Sequence, residues 1–127
     1  MRDGEGNEMG AIEKIERARD LLLPALIHEI TSVQLSDEHF MLRLDFGQHS
    51  ILYIRYNDYQ EYSYQILVSH QVSKSIRYDN FDDRWEVSSR PNHVHLPNKT
   101  VASSPMNGDP VHDMPLLIKT LQAETGV

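Results

Sequence analysis

The sequence predicts an α+β fold: an antiparallel β-meander of about five strands packed with an N-terminal helix and a short C-terminal helix. Apolar residues recur every three or four positions between Met9 and Leu23, the period of an amphipathic helix. From about Thr31 to Asn80 they alternate with polar residues instead, the period of half-buried strands. The links between the alternating runs are only a few residues long, which suits antiparallel neighbours and not parallel crossovers. With 127 residues, the chain is expected to form one domain around a single modest core, residues 1–127.

The elements follow in order. Residues 1–8 are expected to be flexible, and 9–30 form the helical segment. There Met9, Ile12, Ile15, Leu22 and Leu23 make one stripe, Glu13 and Arg17 lie on the wet side, and the helix kinks or ends near Pro24. The sheet covers 31–80. Val33 and Leu35 alternate first. Phe40, Leu42, Leu44 and Phe46 follow, then ILYIRY at 51–56, YSYQILV at 62–68 and SIRYDN at 75–80. Residues 81–112 are loop-rich and hold the candidate site. Residues 113–124 form the closing helix, with Asp113 as N-cap and Pro115 in its first turn.

Composition removes several classes of function. There is no cysteine, so disulfides, thiolate metal sites and cysteine nucleophiles are excluded together, in keeping with a reducing cytoplasm. No apolar run is long enough to span a bilayer, and the acidic, glycine-bearing start is unlike a secretory signal. A cytoplasmic protein with no membrane partner is expected. The net charge of −7 argues against broad nucleic-acid affinity. Residues 73–100 are the exception, with five bases against four acids. Walker, GxGxxG, GxSxG and HExxH motifs are absent.

Chemistry concentrates in SIRYDNFDDRWEVSSRPNHVHLP, residues 75–97. On an extended segment, His93 and His95 point to the same face, where they can ligate one ion, act as an acid–base pair or grip a phosphate. Two surface histidines flanking a buried valine are the bland alternative. Tyr78, Asp79, Asn80, Arg84 and Trp85 just upstream raise the functional odds, because sites gather at strand ends and the loops after them. Asp-Asn pairs also end strands for purely local reasons, and a lone tryptophan is often a lid on a core. His28, His39, His49 and His70 are scattered, and exposure explains them. The tyrosines at 53, 56, 59, 62 and 64 are expected to divide between the two sheet faces.

This order of features resembles the TumE-like toxins of bacterial and archaeal toxin–antitoxin pairs. The shared features run over roughly residues 10–125: a helix of IEKIERARDLL character, a meander with YSYQ on its fourth strand, the strand end Arg77-Tyr78-Asp79-Asn80, Pro91 with His93 and His95, and a short final helix. The family commonly has histidines directly after the Asp-Asn and a doubled histidine before the last one. Here Phe81-Asp82-Asp83-Arg84 and Asn92 stand at those places. The resemblance implies a small cytoplasmic toxin restrained by a DNA-binding antitoxin and attacking RNA or another part of translation.

Three functions compete. In a metal-independent ribonuclease, His93 and His95 serve as base and acid. Arg77 or Arg84 holds the phosphate, and Asp79 orients a histidine. Tyr78, Asn80, Arg84 and Trp85 are then the expected substrate contacts, and no cofactor is needed. In a non-enzymatic binding module, the 79–95 loop is the interaction surface, and the acidic charge favours a basic partner. In a metal-dependent phosphodiesterase, Asp79, His93, His95 and His112 are the ligands. The ranking follows that order. The expected partners are a cognate antitoxin, RNA and a second copy in a homodimer.

Overall fold

Helix α1 (Ala11–Leu26) begins where Gly10, in extended backbone, hands its N–H to Glu13 Oε1 at 3.4 Å. The computed structural model describes residues 9–69 and 71–127, so the expectations for residues 1–8 and for His70 lie outside the described residues. Asp58 reaches across from a β-turn and accepts the Ala11 N–H at 2.9 Å, a second cap on the positive end of the helix. As expected, α1 ends near Pro24, two residues beyond it. The proline sits in the last turn, where its missing N–H removes one hydrogen bond shortly before the helix stops. The buried stripe is Ala11, Lys14, Ile15, Ala18, Leu22 and Leu26, rotated from the one expected, and Ile12 is exposed. Lys14 is accommodated by donating from Nζ to Gln60 Oε1 at 2.6 Å and lying over the Tyr56 ring.

Five strands lie where alternation placed them: β1 (Ile30–Ser36), β2 (Met41–Phe46), β3 (Ile51–Tyr56), β4 (Tyr62–Val68) and β5 (Gln71–Asp79). On the edge strand β1, however, Val33 and Leu35 are exposed and not half-buried. The meander extends by two short strands inside the stretch expected to be loop, β6 (His93–His95) and β7 (Val101–Ser103). All seven are antiparallel and lie side by side in chain order. Helix α2 (Pro110–Thr125) closes the chain. It starts earlier than expected because Asp109, not Asp113, is the N-cap, accepting the Val111 N–H at 3.1 Å. Pro115 falls inside the helix.

Both helices cover one face of the sheet. Leu42, Leu44, Leu52, Ile54 and Ile66 point into that layer with no exposed surface. Each such burial contributes roughly 1.5–3 kcal/mol. Tyr56, Tyr62 and Tyr64 share this core face, whereas Tyr53 faces outward and Tyr59 sits on an exposed turn. Asp113 is fully buried here. It accepts from Tyr64 Oη (2.7 Å), Gly108 N (2.7 Å) and Asn107 N (3.0 Å), and so ties α2 to β4 and to the loop before it. Burial raises the Tyr64 phenol well above its ordinary pKa, with Tyr56 and Asp113 adding to the effect, so it stays a neutral donor.

The opposite face carries no helix. Strand register aligns two polar rows on it. One runs Arg55, Ser63, Asp79, His93, Ser103, and the next runs Arg43, Tyr53, Gln65, Arg77, His95, Val101.

Candidate functional site

Asp79 and His93 are direct cross-strand partners, as are Arg77 and His95. The pleat therefore delivers four functional side chains to one patch of the outer face. His93 Nε2 lies 2.8 Å from Asp79 Oδ1, and His95 Nε2 lies 3.6 Å from Asp79 Oδ2. Arg77 donates from Nε to Asp79 Oδ2 at 2.7 Å, and the Phe81 N–H donates to Oδ1 at 3.2 Å. Asp79 is only 2% exposed and His93 only 1%.

The hydrogen bonds of His93 fix its tautomer. Nδ1 lies 2.9 Å from the Pro91 carbonyl, which can only accept, so Nδ1 carries the hydrogen. Nε2 is then the atom turned toward Asp79. Although the carboxylate oxygen is close, Nε2 has no aligned hydrogen-bond partner. His95 is partly exposed. Burial lowers its imidazole below the ordinary pKa, and the Arg77 guanidinium adds to this while Asp79 opposes it.

Trp85 lies against both imidazoles, with ring centroids 5.8 Å from His93 and 5.6 Å from His95. Arg84 stacks on the Trp85 ring at 4.6 Å. Trp85 and His95 also line a smaller cleft of about 390 Å³ on the β6–β7 side, with Ser73, Ser75, Lys99 and Val101. On the other side an open groove of about 690 Å³ runs over β3, β4 and β5, lined by Tyr53, Arg55, Ser63, Gln65, Leu67, Arg77, Asp79 and Phe81.

The expected residues are only partly gathered. Asp79, His93, His95, Arg77, Trp85 and Arg84 come together. Tyr78 does not, because its odd–even position turns it into the core, where its hydroxyl lies 3.4 Å from Thr120 Oγ1. Asn80 is spent on backbone, accepting the Tyr62 N–H at 3.0 Å and donating to the Gln60 carbonyl at 3.0 Å. Among the described residues, the carboxylate–imidazole group with converging ligand atoms is Asp79, His93 and His95. His112 is outside it, its Nδ1 2.7 Å from Asp113 Oδ1 at the start of α2.

Sequence reasoning passed over Arg55, Gln65 and Ser63, and read Tyr53 only as one of the strand tyrosines. The signal was present: the alternation that turns Leu52, Ile54 and Tyr64 inward turns these outward, onto the same face as Asp79. Arg55 is exposed and has no ion pair or hydrogen bond among the described residues, while Arg43 is held by both oxygens of Asp45 at 3.0 and 2.8 Å.

No curated protein and no solved structure matches this chain. A family model described as Toxin TumE matches residues 13–123, a span that holds all seven strands, most of both helices and every residue of the cluster. The chain belongs to the TumE toxin family.

Proposed function

We propose that this toxin acts by cutting RNA and so blocks translation, with the phosphodiester attacked at Asp79, His93, His95 and Arg77. The observation that carries the reading is the placement of this cluster at the side of a groove whose cations are unspent. Arg77 uses Nε on Asp79 and keeps its Nη groups for a phosphate, and Arg55 in the same groove has no partner among the described residues. Tyr53 and Phe81 offer aromatic faces in the groove, on which unpaired bases can stack for roughly 1–3 kcal/mol each. A single strand is favoured as substrate because its bases are free to reach such surfaces.

The roles differ from a symmetric histidine pair. His93 is 1% exposed whereas His95 is partly exposed, so His95 is the imidazole more accessible to a substrate. His93 and Asp79 support it from behind. Membership in a toxin family implies an antitoxin partner, and the net charge of −7 suits a basic one.

The test is incubation of the purified chain with a mixed pool of single-stranded RNA, alongside a folded Asp79→Asn variant. Cleavage by the unmodified chain alone is expected. No cleavage by either, with tight binding to a basic partner protein, would replace the enzyme with a binding module whose surface is the 79–95 loop.

A further inference from the structure

We infer that Asp79, His93 and His95 form a binding site for one divalent transition-metal ion, with Asp79 on the side of the groove and His95 on the side of the smaller cleft. The inference rests on the RNA-cleaving reading only for its purpose; the site itself stands on geometry.

His93 Nε2 is a buried polar atom with no aligned partner, aimed into the cluster. In a plain His–Asp ion pair, the Nε2–H would point at the carboxylate oxygen. Here the two atoms are 2.8 Å apart and misaligned, as when both are directed at a third point. Ligand atoms held about 2.0–2.2 Å from a common ion stand roughly 3.0–3.5 Å from one another. The contacts of 2.8 and 3.6 Å around Asp79 bracket that spacing, and all three ligand atoms lie within 4.8 Å of one another. His95, partly exposed, has the freedom to close the set.

The ligands also come with the outer partners that metal sites use. The Pro91 carbonyl accepts from His93 Nδ1, which turns the Nε2 lone pair inward. Arg77 and the Phe81 N–H hold the two Asp79 oxygens, and each oxygen keeps a second lone pair for an ion. Two imidazoles and one carboxylate favour Mn²⁺, Fe²⁺, Co²⁺ or Zn²⁺ over Mg²⁺ and Ca²⁺, which prefer oxygen ligands. Three protein ligands leave a position for water, the pattern of catalytic rather than structural sites.

A bound ion supplies the activation that a buried His93 cannot. The oxygen of its water forms a bond to the RNA phosphorus, and the P–O bond to the adjoining ribose breaks. The leaving oxygen takes up the proton that the water releases. One water is consumed per cut and no electrons are transferred.

The experiment uses the full chain stripped with chelator, then titrated with Zn²⁺, Mn²⁺ or Co²⁺ by calorimetry, with metal content measured after gel filtration. One ion per chain is expected. Asp79→Asn and His95→Gln should weaken binding by more than the roughly 10–100-fold that loss of an outer-shell partner costs. His112→Gln should leave it unchanged. Should the variants unfold, the unmodified chain still answers. Bound Co²⁺ should give visible absorption bands and broaden the imidazole resonances of His93 and His95 while sparing His112. Retention of no ion, or equal binding by Asp79→Asn, overturns the site. Stoichiometric binding without RNA cleavage keeps the metal site and removes the ribonuclease reading. Cleavage at full rate in chelator, with no ion bound, does the reverse.

Discussion

Arg55→Ala separates RNA binding from folding. Arg55 lies on β3, in the row that passes through Ser63 to Asp79, two strands away. That places it roughly 10 Å across the sheet from the cluster. Its side chain is exposed and unpaired among the described residues, so the substitution should change stability by no more than about 0.5 kcal/mol. A hydrogen bond to a charged group contributes about 1.5–3 kcal/mol, and exposure puts Arg55 at the low end. RNA binding should therefore weaken about 10-fold. The salt dependence should also fall by about 0.7 in the logarithmic slope, one phosphate contact fewer on a single strand. The assay is fluorescence anisotropy of a labelled single strand on an Asp79→Asn background, at several salt concentrations. Arg17→Ala is the control. It removes the same charge from the helical layer, where the side chain is also exposed. If the two substitutions weaken binding equally, net charge and not the groove governs RNA affinity, and the placement of the substrate is wrong.

Other outcomes follow from the same structure. Asp113→Ala strips the acceptor from the Tyr64 hydroxyl and from the Gly108 and Asn107 amides. It should cost on the order of 3–5 kcal/mol, read as a shifted denaturation midpoint; a loss below about 1 kcal/mol would mean that the network relaxes. Gly108→Ala should cost roughly 1–3 kcal/mol in the same assay. Gly108 has φ +92°, and an added Cβ would stand 3.0 Å from Tyr62 Cδ1. Expression of the unmodified chain alone should slow bacterial growth, and changing both His93 and His95 to alanine should relieve it. Undiminished toxicity in a folded double variant would take the histidines out of the mechanism.

The meander was legible because period-two alternation is a local signal that the core reinforces: Leu44 stands between Arg43 and Asp45, Ile54 between Tyr53 and Arg55, and both are fully buried in the fold. Strands β6 and β7 were not, since three residues hold too few alternations to register and exist only by pairing with β5. Pro24 marked the end of α1 to within a turn, whereas Pro115 misled: it lies inside α2, carried by an apolar face of Met114, Leu117 and Leu121. Asp113 matches a cap pattern locally, but tertiary contacts use it as a buried acceptor, and the preceding Asp109 caps instead. In the site, the same-face placement of His93 and His95 follows from strand geometry and could be read from HVH. The burial of His93 depends on Trp85 and β7 folding beside it, and the inward turn of Tyr78 on a register set by Ile76. The groove residues Arg55, Tyr53 and Gln65 lie in other strands, so only cross-strand register brings them to Asp79.

Single-turnover cleavage of a labelled single-stranded RNA by the unmodified chain and by Asp79→Asn tests the proposed site most directly, with far-UV circular dichroism recorded on both. Asparagine keeps the size of the side chain and an acceptor for the Phe81 N–H, so the fold should persist. The charge that organises His93, His95 and Arg77 is removed. The unmodified chain should break phosphodiester bonds, and the folded variant should be slower by at least about 100-fold. Equal rates from the two proteins, or intact RNA with both at concentrations that arrest growth, would contradict a phosphodiesterase centred on Asp79.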